Sequence, residues 1–203
     1  MLPSIDTRLR LHVLIHRHEH AKPSSTGKLV ARAVKAAVCH VYQRQTRSHA
    51  AAGLPDDIDD RDREIWILHP HGEPLPATAD GQPRPRVVLL DGTWRQAGEM
   101  LRACEGVGRR VRLPDSVAAS SRYWLRDQPA PGHLSTAEAA MGVFTATGDA
   151  EAERLLRLHF ELHVYATLLA RGRREMAQRY LGDSPLLHDA SDVLEQFHTR
   201  HRR

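Results

Sequence analysis

Asp91, Thr93 and Trp94 stand together in the stretch LLDGTWRQA, between an apolar run and a helical pattern. A carboxylate within hydrogen-bond reach can take a proton from a ring N–H, and an exposed indole can stack on a nucleobase. These residue types indicate acid–base chemistry on a base-like ring, with Asp91 as the proton acceptor. Thr93 would steady the turn or donate to a carbonyl. The spacing leaves open structural alternatives, in which Asp91 interacts with the dipole at a helix N-terminus or forms a turn beside Gly92, and Trp94 belongs to the core.

The elements that must position these residues alternate between strands and helices. Apolar runs predict strands over 9–15, 64–68, 86–90 and 109–113, and turn-forming residues predict loops over 51–63, 70–85 and 126–134. Helical spacing after a serine cap predicts a helix over 24–38, and leucine spacing predicts one long amphipathic helix over about 151–180. Ser135 and Glu138 have the spacing of a capping box. This order indicates an α/β fold with a mostly parallel sheet flanked by helices, in which Asp91 ends a strand beside the ligand crevice.

Length and charge restrict the class of protein further. The chain has 203 residues, which favours a single domain over 1–203, and its net charge of +4 comes from an arginine excess that favours a polyanionic partner. A solvated basic surface is the alternative. The two cysteines form no CxxC pair, and no run reaches membrane-spanning length. We therefore expect a cytoplasmic protein with no membrane segment.

Four motifs in the same order resemble the DTW-domain family over roughly residues 9–145. They are DGTW from Asp91, STAEA from Ser135, HRHE with PSST from His16 to Thr26, and RYWLR from Arg122 to Arg126. The resemblance implies a tRNA-uridine aminocarboxypropyltransferase, which moves the 3-amino-3-carboxypropyl group of S-adenosylmethionine to N3 of a uridine and releases methylthioadenosine. It further implies a SPOUT-like fold with a trefoil knot in the C-terminal half, tRNA as partner and S-adenosylmethionine as co-substrate.

The resemblance also implies roles for individual residues. Catalysis would fall to Asp91, Thr93 and Trp94. The knot loops would hold S-adenosylmethionine, largely by main-chain groups, at Leu68, Pro70, Leu113, Asp115, His133, Leu134, Ser135, Thr136 and Glu138. Glu138 has two readings, as the capping-box partner or as an acceptor for the amino group of the co-substrate. RNA contacts are expected at His16, Glu19, Thr26, Arg95, Arg122, Tyr123 and Arg126. A second basic patch is expected at Arg171, Arg173, Arg174 and Arg179, although positive charge near a helix C-terminus explains it almost as well.

Three departures and alternatives accompany the resemblance. The family's cysteine-rich zinc element has no counterpart before the first predicted strand, which leaves open another tRNA site, another RNA, or a partner that supplies the missing contacts. His16, His18 and His20 alternate and on a strand would share one face, but no second ligand cluster accompanies them, so we expect no metal. The other functions that stay open are methyl transfer by the same fold and RNA binding without catalysis. A monomer is the expected state, although SPOUT relatives often dimerise.

Overall fold

In the computed structural model, residues 2–43, 58, 64–76, 84–114, 121–126 and 134–201 are described. The strands in these ranges are β1 (Arg10–His16), β2 (Ala37–Tyr42), β3 (Ile65–Pro74), β4 (Arg86–Asp91) and β5 (Arg109–Arg112). The helices are α1 (Arg17–His20), α2 (Thr26–Ala33), α3 (Trp94–Ala103), α4 (Thr136–Ala146), α5 (Ala150–Ala170), α6 (Arg174–Gly182), α7 (Leu186–Asp189) and α8 (Ser191–His201). The four predicted strands and the predicted α/β order are confirmed. The loop predicted over 70–85 is wrong at its start, because β3 continues to Pro74: Pro70 lies where the pairing with β5 is interrupted, and Pro74 ends the strand.

The strands form one sheet in the order β2-β1-β4-β3-β5, and every pairing is parallel. Ile15 of β1 pairs in register with Asp91 of β4. The chain leaves β1 toward β2 on one side, and it leaves β4 toward β5 on the other side. The carboxyl ends of β1 and β4 therefore flank a topological switch point, which is where α/β sheets form their ligand crevice.

Helices cover both faces of the sheet. One core lies between the odd-numbered residues of β1 and β4, such as Val13 and Leu89, and helices α2, α4, α5 and α6. The other core lies between even-numbered residues, such as Leu14 and Val88, and α3. Because side chains alternate across a strand, Asp91 faces α2 and α4, whereas His16 faces α3. None of the described helices is long and apolar enough to cross a membrane.

The predicted helix over 24–38 is correct only in its first part. Helix α2 ends at Ala33, Val34 is extended, and Ala37–Tyr42 forms β2, an edge strand paired with β1. The alanines in this stretch favour a helix, but the main-chain hydrogen bonds of a parallel pairing outweigh that preference.

The predicted helix over 151–180 is two helices, because the chain turns at Gly172. Gly172 has φ of 73°, its N–H donates to Leu169 O at 2.9 Å, and the Arg173 N–H donates to Leu168 O at 3.0 Å. These bonds form a Schellman motif, which ends α5 and lets α6 fold back against it. Periodicity missed this break because apolar residues at helical spacing, Leu169, Met176 and Tyr180, lie on both sides of it.

The SPOUT class and the trefoil knot stay predictions. The loops on which the knot depends include Asp115 and His133, and both lie outside the described residues. The third loop is part of β3, where a bulge between Leu68 and Glu73 interrupts the pairing with β5. Gly72 is required in this bulge, because a Cβ there would lie 2.6 Å from the main chain of Val111.

Candidate active site

Asp91 is the buried polar centre of the crevice. Its two carboxylate oxygens accept one hydrogen bond each, from Ser25 Oγ at 2.6 Å and from Thr136 Oγ1 at 2.6 Å. Ser25 is the N-cap of α2, and Thr136 is the first residue of α4. The carboxylate therefore joins the end of β4 to the beginnings of two helices that are distant in sequence.

Gly27 allows α2 to approach Asp91 this closely. A Cβ at Gly27 would lie 2.7 Å from Asp91 Cγ, which is shorter than any ordinary contact between such atoms. Sequence reasoning identified Ser25 as a cap candidate but identified neither Ser25 nor Gly27 as a site residue. The available signal was the PSST segment of the resemblance, which contains Ser25 and which Gly27 follows directly.

The capping box at Ser135 is confirmed. Glu138 N donates to Ser135 Oγ at 3.3 Å, and Ser135 N donates to Glu138 Oε2 at 2.8 Å. The other oxygen, Oε1, accepts from Arg122 N at 2.8 Å. Because main-chain N–H groups engage both oxygens, Glu138 fixes the segment 121–126 against α4, and this geometry favours the capping reading over an acceptor for an amino group.

Arg122 and Tyr123 face inward, which corrects their predicted place in the RNA surface. Arg122 forms a two-pronged ion pair with buried Glu161 at 2.6 and 2.9 Å, and its guanidinium also lies over the Tyr180 ring. The Tyr123 hydroxyl is buried and donates to Ser24 O at 2.6 Å. Both side chains tie their segment to the helices, because a buried charge or hydroxyl needs such partners.

Glu19 and Thr26 are likewise buried rather than exposed to RNA. Glu19 accepts from Lys22 Nζ and from Arg126 Nη2, each at 2.5 Å. Burial acts to raise the pKa of Glu19, but the hydrogen bonds and charges of Lys22 and Arg126 outweigh it and hold the pKa below its usual value. Thr26 Oγ1 accepts from Ala137 N at 3.4 Å. Of the residues predicted to contact RNA in this part of the chain, Arg126 keeps an accessible side chain, at 35% exposure.

The α3 side of the crevice is more open. Thr93 caps α3, accepting from Gln96 N at 3.4 Å, while Thr93 N donates to Gln96 Oε1 at 2.8 Å. The cap places Trp94, with 43% of its surface exposed, and Arg95, also exposed, at the start of the helix. This exposure excludes the core reading of Trp94, and a stacking role stays a prediction.

His16 ends β1 on the same side. Its Nδ1 accepts from His18 N at 3.4 Å, and its ring lies 6.0 Å from that of Tyr42. Burial lowers the pKa of His16, while the charge of Glu99 on α3 acts in the opposite direction. His16, His18 and His20 do not share one face, because Arg17–His20 is a helical turn. No group of three or more histidine, cysteine or acidic side chains in the described ranges is placed to hold a metal.

The predicted co-substrate residues lie at several points of the carboxyl edge. Leu68 is half-buried and Pro70 is exposed in the bulge of β3, and Leu113 is half-buried just after β5. Leu134 is half-buried before the cap of α4, whereas Asp115 and His133 fall outside the described residues. The structure brings Ser135 and Thr136 to Asp91 and gives no contact that joins Leu68 or Leu113 to it.

The fold and the site define an α/β protein with a cluster of buried polar side chains at the carboxyl ends of a parallel sheet. Residues 1–168 match the DTW domain, and the chain belongs to the DTW-domain family. The DTW domain is associated with tRNA-modifying transferase activity, which implies tRNA as substrate. The matched range includes every site residue described above. No solved structure matches this chain.

Proposed function

We propose that the protein transfers the 3-amino-3-carboxypropyl group of S-adenosylmethionine to N3 of a uridine in tRNA and releases methylthioadenosine. Membership in the DTW-domain family supports the reaction class. The observation on which the proposal chiefly rests is Asp91, a carboxylate fixed at the switch point by Ser25 and Thr136, three residues before the exposed Trp94.

The residues present fit S-adenosylmethionine by charge. Helices α2, α3 and α4 all begin at this edge, and the positive ends of helix dipoles favour the carboxylate of an amino-acid group. Asp91 supplies the negative charge that a sulfonium or ammonium group favours. When bound, S-adenosylmethionine supplies a carbon made electrophilic by its positively charged sulfur.

The chemistry of the nucleophile explains the need for a carboxylate. Uridine N3 carries a proton and attacks a carbon poorly until that proton leaves, so a base within hydrogen-bond reach is required. Each carboxylate oxygen of Asp91 has two acceptor positions, and a hydroxyl engages one of them, which leaves the second to accept the N3 proton. The N3–carbon bond forms as the carbon–sulfur bond breaks, and the electron pair stays on sulfur.

Positioning decides which group is transferred, because all three carbons on the sulfur are activated. Trp94 is the proposed stacking surface for the uracil, and its capped position at the start of α3 fixes the main chain from which the indole projects. Arg95 and Arg126 are the proposed phosphate contacts that remain accessible. The half-buried Leu68, Leu113 and Leu134 are proposed as apolar walls of the co-substrate pocket.

The test is incubation of the purified protein with tRNA and S-adenosylmethionine labelled in the aminocarboxypropyl part, followed by nucleoside mass spectrometry. We expect a uridine that gains the labelled group, with methylthioadenosine formed in equal amount. A methyl adduct would replace this proposal with methyl transfer, and RNA binding with no adduct would replace it with a binding module. Asp192→Asn is the control for Asp91→Asn in this assay, because it removes a carboxylate from an exposed position on α8.

A further inference from the structure

A row of basic side chains lies where α2 packs against α5. Lys28 and Arg32 are one turn apart on α2, and His163 and Arg171 are two turns apart along α5 and its cap, so each pair lies on one side of its helix. Because α2 packs against α5, the two pairs lie on neighbouring helices, and the charges of Arg32, Lys28 and Arg171 all act on His163. We name these four residues the α2–α5 strip.

The charges of the strip are not neutralised by the described part of the protein. Lys28 Nζ donates to His20 O at 2.8 Å and Arg171 Nη1 donates to Leu125 O at 2.9 Å, and both acceptors are uncharged carbonyls. Within the described ranges, none of the strip's three cations pairs with a carboxylate. On the other side of α5, by contrast, Arg154 and Arg157 pair with Glu151 and Glu153.

His163 gives the strip a second, independent feature. Its Nε2 atom is buried and has no hydrogen-bond partner among the described residues. Burial, together with the charges of Arg32, Lys28 and Arg171, lowers the pKa of His163 to about 4, and a backbone hydrogen bond with Ser24 opposes the change. An uncompensated buried nitrogen among three cations is costly in the free protein, and an anion beside it would offset the three charges.

The strip begins next to the candidate active site. Ser25, which donates to Asp91, caps the helix that presents Lys28 in its first turn and Arg32 one turn later. At about 1.5 Å per residue, Arg32 lies roughly 10 Å along α2 from Ser25. A polyanion that enters the crevice would therefore pass over the strip as it leaves.

We propose that the α2–α5 strip binds the phosphodiester backbone of the RNA whose uridine enters the crevice beside Asp91. This inference rests on the proposed function for the identity of the RNA. The occupant follows from charge: three cations in a row match a chain of regularly spaced phosphates, and both arginines can contact a phosphate through two parallel hydrogen bonds.

The test measures binding of fluorescently labelled tRNA without S-adenosylmethionine, so that it does not depend on transfer. We expect Lys28→Gln, Arg32→Gln and Arg171→Gln each to weaken binding about five- to tenfold at about 0.1 M salt and to lower the slope of log affinity against log salt by about 1. Arg154→Gln removes one positive charge from the other side of α5 and should leave both quantities unchanged. Equal losses in all four variants, or no loss in the strip variants, would overturn the proposal.

Two further measurements distinguish RNA bound at the strip from RNA bound elsewhere and from an acidic protein partner. The ring protons of His163, followed by NMR against pH, should titrate near pH 4 in the free protein and at higher pH with tRNA bound, since Lys28, Arg32 and Arg171 are then neutralised. An unchanged titration would place the RNA elsewhere.

If polyglutamate displaces tRNA as well as unlabelled tRNA does, the strip is a surface for acidic proteins instead. A strip that binds tRNA while no nucleoside is modified would refute the proposed function alone.

Discussion

The sequence predicts where Asp91 lies, but not which groups donate hydrogen bonds to it. Its place at a strand end follows from the apolar run before it. Its partners Ser25 and Thr136 are 66 and 45 residues away, and their approach depends on how α2 and α4 pack on the sheet. No local pattern encodes that packing. The same reason explains why Arg122 was expected at the surface, since its partner Glu161 lies 39 residues ahead on α5.

Asp91→Asn should reduce both transfer and stability. An amide replaces one carboxylate oxygen by a donor, so either Ser25 or Thr136 loses its acceptor, which costs about 1 to 3 kcal/mol of unfolding free energy. Loss of a positioned base should lower the transfer rate by about 100-fold or more. Rates at saturating tRNA measure the loss of transfer, and denaturant unfolding measures the loss of stability. The affinity for S-adenosylmethionine, measured separately, should change least. Transfer at the wild-type rate would show that Asp91 is not the base.

His163 should make stability depend on pH. Its pKa is about 4 in the folded protein, against an ordinary value of 6.5, so between these values the unfolded chain binds the proton more readily. Stability should therefore be full above about pH 6.5 and fall as the pH drops toward 4, by up to about 3 kcal/mol. Chemical denaturation at several pH values measures this loss. His163→Gln should flatten the profile, whereas His159→Gln on the same helix should retain it.

Helices and strands were predicted best where their own residues determine them. The capping box at Ser135 and the buried strand before Asp91 are local features that the sequence predicts, and the structure contains both. The capping box of Thr93 and Gln96 is equally local, but it was not predicted. Strand β2 was missed because its residues resemble a helix and only pairing with β1 makes them a strand. The break between α5 and α6 was missed because one glycine, Gly172, determines it, while apolar residues at helical spacing lie on both sides.

Replacing Gly172 by alanine should therefore lower the stability, although the surroundings have space for a methyl group. Apart from its chain neighbours, no atom of the described residues lies within 4 Å of a Cβ at Gly172, so Gly172→Ala tests the main chain alone. Its φ of 73° should cost about 1 to 2 kcal/mol. Gly182 ends α6 with equally open space but without a positive φ. Gly182→Ala should stabilise by about 0.4 to 1 kcal/mol. Thermal unfolding measures both variants, and equal shifts would contradict the role of Gly172 in the turn.

Across the whole molecule, the two faces of the sheet carry different parts of the site. Asp91 faces α2 and α4 over the larger core, while His16 and the start of α3, with Trp94, lie on the side of the smaller core. A substrate at the carboxyl edge can contact both faces, because the crevice opens between them. The predicted fold class already places the site at this carboxyl edge of the sheet. The division of the site between the two faces depends on the residue at which each strand ends, and sequence does not fix that residue.

The two cysteines report on the stability of the α3 face. Cys39 on β2 is exposed, whereas Cys104 is buried beside Met100 and Leu14, and burial raises the pKa of Cys104 to about 11. A thiol reagent should therefore modify Cys39 quickly in the native protein. It should modify Cys104 only upon unfolding, because the thiolate of Cys104 is both scarce and inaccessible. Cys39→Ser should remove the fast phase alone.

The slow phase should follow the same denaturant dependence as the loss of helical circular dichroism if the sheet and both helical layers unfold together. A slow phase that is faster than global unfolding would instead mean that α3, with Trp94 at its first residue, opens independently of the rest of the molecule.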